Sequence, residues 1–282
     1  MTEIHQLTAT GPALRALDLL AALGDAAGVR ANMVTSADGH ATIRGRVGDL
    51  TGEADQALLT ALRGWCDVLL VGSGTIRAEG YGPLDLPTEI AEWRTLKGRV
   101  ARPVLAIVSG SLDLDPSLPA FARAADAGPE SLPWVITVPG ADQERRTRLA
   151  PYARLLEVEA GPDGRPSLPA AVAALRQAGM TRVLSEGGPT VLGTLLGGGV
   201  VDELFLTVSP LLVGGGGLRI VETGTLSGMS GGTASGGSAS GATPGEPVPL
   251  KLMDVHVAGS ELFLRYAVGA SAAASASSSG LA

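Results

Sequence analysis

The chain has 282 residues, enough for one large domain or two small ones with a substantial core. Its net charge of -7 lacks the positive footprint that non-specific nucleic-acid binding needs, and its one cysteine, Cys66, excludes an intrachain disulfide framework and a cysteine-built zinc site. No apolar run reaches about 18 residues, so no spanning helix is expected.

The opening MTEIHQLTAT lacks the basic-then-apolar pattern of a secretory signal, and the expected location is the cytoplasm. Aromatics make up only 3% of the chain, so Val, Leu, Ile and Ala must fill the core, a mixture suited to a buried, largely parallel sheet. Residues 12–23 read as a short N-terminal helix and 30–35 as the first strand, ended by Ser36-Ala37-Asp38-Gly39. Thr51 stands where an N-cap belongs, with Glu53 and Asp55 in the first turn, where the helix dipole favours anions. Ala54, Ala57, Leu58, Ala61, Leu62 and Trp65 then keep helical spacing. Val68 to Val71 is an apolar strand that enters the turn Gly72-Ser73-Gly74-Thr75.

Further strands are expected over 104–108, 134–138 and 154–158. Ser167 caps a helix carrying Leu168, Ala171, Val172 and Leu175, with Gly179 at C′. Arg182 to Leu184 is a short strand, followed by Glu186-Gly187-Gly188 and a helix with Pro189 at its first position. Strands alternating with helix-length segments indicate βαβ units. After a strand over 204–208 comes a flexible turn at 214–217. The segment 226–247, rich in Gly, Ser and Thr, reads as an insertion in a surface loop. Two strands about Ala258-Gly259-Ser260 form a hairpin, and 269–282 reads as a disordered Ala/Ser-rich tail.

Two glycine turns after two strands, at Gly72 and at Gly187, mark the carboxyl edge where open α/β sheets bind ligands. Each taken singly also reads as a connecting loop. Asp38 places a carboxylate at the same edge, although Asp-Gly is also an ordinary turn. His40 reads equally as a loop residue, a donor or a proton relay. Arg44, Arg46 and Arg63 can bind a phosphate, and Arg63 can instead complement a helix dipole. Cys66 reads as a small buried hydrophobe. No GxSxG elbow, HExxH motif or Walker A lysine occurs.

In order, Ser36-Ala37-Asp38-Gly39, Leu50-Thr51-Gly52, Leu62-Arg63, Asp67 to Thr75, Ser185-Glu186-Gly187-Gly188-Pro189-Thr190, Val201 to Leu204 and Ser209 to Leu212 resemble the riboflavin-biosynthesis pyrimidine reductase family. Arg77-Ala78-Glu79-Gly80-Tyr81 makes the chain most similar to stand-alone, actinobacterial-type members. The resemblance spans about 30–268, which would be the reductase domain, with 1–29 a helical extension. It implies an α/β, dihydrofolate-reductase-like fold: a mainly parallel central sheet, helices on both faces and a C-terminal antiparallel hairpin. It also implies NADPH and a homodimer. The implied reaction is hydride transfer to ribosyl C1 of 5-amino-6-(5-phosphoribosylamino)uracil, giving the ribitylamino product.

Carried over by motif, Val34, Asp49, Gly72, Gly74, Thr75, Glu79, Ser109 and the run Gly187, Gly188, Pro189, Thr190, Val191, Leu192, Gly193, Thr194 would bind the cofactor. Asp38, Arg63 and Glu186 would bind substrate. Asp38 and Glu186 are the catalytic candidates, with Asp38 orienting the ribose or protonating the nitrogen left after hydride transfer. Three departures stand out. His40 replaces the family's usual Lys or Arg, and the stretch after Arg77 lacks a second phosphate-binding arginine, for which Arg44, Arg46 or Arg77 would have to substitute. The zinc deaminase signature is absent, so deamination is not expected. Two other readings stay open: a same-fold reductase of another heterocycle such as dihydrofolate, and an NADPH-binding protein without turnover.

Overall fold

The computed structural model describes residues 11–126, 128–222 and 247–269. Among the described residues nine strands form one sheet in the order β5-β4-β3-β2-β6-β1-β7-β9-β8. They are β1 (Gly28–Ser36), β2 (Val68–Gly72), β3 (Val104–Val108), β4 (Trp134–Thr137), β5 (Arg154–Glu157), β6 (Arg182–Ser185), β7 (Glu203–Ser209), β8 (Leu250–Ala258) and β9 (Glu261–Val268). From β5 across to β7 all pairings are parallel, and β9 pairs antiparallel with both β7 and β8. The fold class is the expected one, hairpin included.

Period-2 alternation explains why helices cover both faces. In β2 the run Val68-Leu69-Leu70-Val71 is wholly buried. Leu69 and Val71 join a core with Leu62 and Trp65 of α2 (Glu53–Trp65). Leu20 of α1 (Ala16–Ala22), Ile76 of α3 (Ser73–Glu79) and Ile90 of α4 (Thr88–Leu96) complete that layer. Val68 and Leu70 face Leu175 of α7 (Leu168–Gln177) and Leu192 and Leu195 of α8 (Pro189–Gly197). Each such side chain contributes about 1.5–3 kcal/mol through burial. Two carboxylates pin the register at the opposite edge from the site. Asp67 accepts from the N–H groups of Thr181 and Arg182 and pairs with the Arg182 side chain, locking β2 to β6. Asp202 accepts from the Val29 N–H at 2.7 Å, locking β1 to β7.

Two local expectations change. Gly72-Ser73-Gly74-Thr75 is no free turn, because α3 begins at Ser73 with Gly72 as its cap. Thr51 is not the α2 cap: Gly52 holds that position, while the Thr51 hydroxyl donates to the Gly48 carbonyl at 3.2 Å. Ser167 and Pro189 do hold their expected positions at the starts of α7 and α8. Helices α4, α5 (Pro119–Asp126) and α6 (Gln143–Leu149) add to the sequence reading. In α4 the reason is physical: its buried residues are Ile90 and Arg94, and the Arg94 fork donates to the carbonyls of Gly64, Cys66 and Val100, so no apolar stripe announces the helix. Cys66 is buried, and that burial pushes its thiol up to about 12. Among the described residues no helix is long and apolar enough to cross a membrane. The insertion at 226–247, apart from its last residue, and the tail beyond 269 lie outside the described residues.

Candidate active site

Strands β1, β6 and β2 are neighbours and run the same way, so Ser36, Ser185 and Gly72 end on one rim of the sheet. The two glycine turns are tied together there. The Gly72 N–H donates to the Gly187 carbonyl at 2.9 Å, and the Glu186 N–H to the Leu70 carbonyl at 3.2 Å. Above this rim opens a cleft of about 670 Å³, within the range of small-molecule and cofactor sites.

One wall of the cleft is a three-residue knot. Arg63, in the last turn of α2, grips Glu186 with two parallel bonds, Nε to Oε1 and Nη2 to Oε2, both 2.7 Å. Tyr81 donates its hydroxyl to Glu186 Oε2 at 2.6 Å, and the Arg63 guanidinium lies 5.6 Å from the Tyr81 ring centre. Gly80, at φ +65°, ends α3 in a left-handed cap that aims Tyr81 into the cleft. Burial alone would lower Arg63, but the hydrogen bonds and charge of Glu186 outweigh it and raise the guanidinium. Burial, then the Glu186 charge, push the Tyr81 phenol well above its usual value, so it stays a neutral donor. Arg63 is therefore a paired cleft residue, which goes beyond a surface charge at a helix end.

Of the expected cofactor residues, Val34, Gly72, Gly74, Thr75, Glu79, Gly188, Pro189, Thr190 and Val191 line the cleft. Glu79 also accepts from the Val47 N–H at 3.1 Å, tying α3 to the loop on the opposite rim. A Cβ on Gly188 would stand 3.0 Å from Thr75 Oγ1, so bare backbone faces that side of the cleft. The structure does not bring the others to the lining. Asp49 is exposed on the short 3-10 turn Gly48–Leu50, and Ser109 is buried at the end of β3. Gly187 is buried beneath the turn, Leu192 and Gly193 face the core under α8, and Thr194 bonds within its own helix to the Thr190 carbonyl.

Asp38 also stands off the cleft lining. Its carboxylate accepts from the Ser36 hydroxyl and from the N–H groups of Val213 at 3.1 Å and Gly214 at 2.8 Å. The Ser36 bond, then those backbone bonds, hold it well below the usual carboxylate range. His40 is buried beside it, with Nε2 3.2 Å from the Gly215 carbonyl. Asp38 thus fastens the 213–219 loop, whose Leu218 forms part of the cleft wall.

The sequence model of the RibD C-terminal domain matches residues 27–255. The chain belongs to that family. Two similar relatives are 2,5-diamino-6-ribosylamino-4(3H)-pyrimidinone 5′-phosphate reductases. The Archaeoglobus fulgidus protein is 26% identical over 182 residues, covering 62% of this chain and 79% of the relative. The Methanothermobacter thermautotrophicus protein is 27% identical over 193 residues, covering 68% and 82%. Among solved structures, a pyrimidine reductase-like protein from Corynebacterium diphtheriae superposes with a TM-score of 0.67 at 29% identity, over 86% of this chain and 92% of that one. The chain is an oxidoreductase that shares the α/β architecture of the pyrimidine reductase-like protein.

In this RibD-type domain the cleft also contains residues that the motifs did not single out. Tyr81 is one. Asn32, Asp55, Gln56 and Leu59 are others, on the wall formed by β1 and α2. Asp55 carried a signal: it lies three residues before Leu58 and seven before Leu62, on the apolar face of α2, where an acid is out of place. The loop 41–48 closes one rim and carries Arg44 and Arg46, both exposed, whereas Arg77 donates to the Asp113 carbonyl.

Proposed function

We propose that the chain is an NADPH-dependent reductase that converts the ribosyl group of a ribosylaminopyrimidine 5′-phosphate into a ribityl chain, a step of riboflavin biosynthesis. The observation that carries this reading is the meeting of the β1, β2 and β6 ends around one cleft, with a bare glycine rim on one side and the Arg63–Glu186–Tyr81 knot on the other. The glycine side fits a dinucleotide. Helix α8 opens without a side-chain cap, leaving first-turn N–H groups for a phosphate, and Gly188 adds no side chain in front of them.

Val34, Gly72, Gly74, Thr75, Glu79 and residues 188–191 would hold NADPH, which would supply a hydride for ribosyl C1 of the ring-opened, imine-like substrate. The protein holds donor and acceptor in contact, the main source of acceleration for such a step. Glu186 and Tyr81 present an acceptor and a donor to sugar hydroxyls. Arg63 engages Glu186 through Nε and Nη2, which leaves Nη1 for a substrate oxygen. Arg44 and Arg46 on the rim loop supply counter-charge for the 5′-phosphate. The C–N π electrons end on nitrogen, which takes its proton from water, because Asp38 stands off the cleft lining and, held ionised, has no proton to give. A homodimer would cover the exposed apolar residues Leu250, Leu252 and Met253 of edge strand β8.

The test is NADPH oxidation, followed by absorbance, with the phosphoribosylamino-uracil, with its 2-amino-4-oxo counterpart, with dihydrofolate and with no substrate. Oxidation confined to the ribosylaminopyrimidines is expected. Oxidation with dihydrofolate alone, or with none of them, refutes the assignment.

A further inference from the structure

The inner wall of the cleft holds a carboxyl that the proposed reaction does not use. Asp55 lines the cleft yet is only 4% exposed, and its Oδ1 has no hydrogen-bond partner. Two more polar atoms on the same side of the sheet are equally enclosed and unpartnered: Asn32 Oδ1 on β1 and Thr207 Oγ1 on β7. Burial pushes the Asp55 carboxyl up. The Thr207 hydroxyl draws it part of the way back without reaching hydrogen-bond geometry, and the charges of Glu261 and Glu186 push it up again. A buried acceptor in a negative setting is costly to leave unpaired, and the usual explanation is a ligand that brings the missing donors.

The chemistry of the substrate class supplies such donors in one of its two forms. A 2-amino-4-oxo pyrimidine presents N3–H and the 2-amino group side by side, a donor–donor edge that matches both oxygens of a carboxylate and, by bonding to the charged form, opposes the upward push of burial. A 2,4-dioxo ring presents N3–H flanked by two carbonyls, and whichever side it turns to the carboxylate, a lone pair faces a lone pair. We propose that Asp55 reads this ring edge and selects a 2-amino-4-oxo pyrimidine over a uracil. The inference rests on the reductase reading above and gives it a substrate form, the opposite of the uracil expected from the sequence. Asp55 is a specificity residue at the ring, some distance from the hydride-accepting carbon, so its effect falls on discrimination between substrates.

The experiment compares the two ribosylaminopyrimidine 5′-phosphates, identical except at C2, by kcat/KM and by calorimetric Kd in the presence of NADP+. Wild type should favour the 2-amino compound at least about tenfold, the scale of a hydrogen bond to a charged group. Asp55→Asn replaces two acceptors by one acceptor and one donor, the complement of a uracil edge, and should shift the ratio toward uracil about 100-fold or more. Equal use of both rings by wild type, or a ratio unmoved within about threefold by the variant, overturns the assignment. Should Asp55→Asn not fold, the wild-type ratio alone decides. Should neither compound be reduced, the reductase reading fails, and the ratio of the two Kd values still decides for or against Asp55.

Discussion

The Arg63–Glu186 pair offers a quantitative test of how the cleft wall is held. Glu186 is 5% exposed and Arg63 26% exposed, and the two share a bidentate contact with both bonds at 2.7 Å. Removing one partner of a buried pair strands the other, at a cost of about 3–5 kcal/mol. Arg63→Met strands the more deeply buried member with only the Tyr81 hydroxyl, so its loss should lie near the upper end, about 4–5 kcal/mol. Glu186→Gln strands a guanidinium that water still reaches, so about 2–3 kcal/mol is expected. The double variant buries no charge at all, and such neutral replacements cost about 0–2 kcal/mol. The coupling is then at least about 4 kcal/mol, a large non-additivity by the standard of paired residues. Equilibrium unfolding in urea measures all three, with an unchanged m value showing that the same transition is compared. Activity is the poorer readout, because every variant damages the cleft. If the double variant loses the sum of the singles within about 0.5 kcal/mol, the pair is not the unit described.

Two other expectations follow from the geometry. Asp38→Asn removes one of the two oxygens that gather the Ser36, Val213 and Gly214 donors, so kcat/KM should fall about tenfold as the loop at the cleft rim loosens. Because that carboxyl is held well below the usual range, it is ionised across the working interval, and the pH–rate profile between about pH 5 and 9 should keep its shape in the variant. Loss of one limb of the profile would make Asp38 the proton donor. Gly188→Ala sets a methyl 3.0 Å from Thr75 Oγ1 at an ordinary φ of -62°. Stability should change by less than about 1 kcal/mol, while NADPH, titrated by fluorescence, should bind about tenfold or more weakly. An unchanged Kd would mean that the cofactor does not lie against this turn.

The centre of the sheet is legible because β2 and β3 are apolar runs that lead into glycine or serine, and α2 and α7 keep a 3.6-residue rhythm. What the sequence hid was set by partners far along the chain. Asp38 stands at the sheet edge as its motif implies, but its lone pairs are taken by N–H groups 175 and 176 residues away, which no local pattern reveals. For Asp55 the sequence offers the helix dipole. That accounts for an acid in the first turn of α2 and leaves its position on the apolar face without a reason. Tyr81 stood within a quoted motif, yet only the left-handed cap at Gly80 turns it into the cleft. The motif treats 187–194 as a block, whereas α8 turns each successive side chain by about 100°. Only its first turn can face a ligand.

The strand order explains why the site lies where it does. From β2 the chain steps outward through β3, β4 and β5, then returns to insert β6 between β2 and β1. Open α/β sheets bind ligands where such a reversal separates neighbouring crossovers at the carboxyl ends of the strands. Here that crevice is filled by the turn 186–188, which must be slim enough to sit between two strand ends and leave room above. Glycine at 187 and 188 meets this need, since a Cβ there would stand 3.0 Å from Met33 Sδ and Thr75 Oγ1 respectively. The same insertion delivers Glu186 to Arg63 and Tyr81, 123 and 105 residues away. Neither contact can form before β6 has docked. The cleft wall and the centre of the sheet are therefore completed in one event, which is why a variant in the wall should register in global unfolding and not only in turnover.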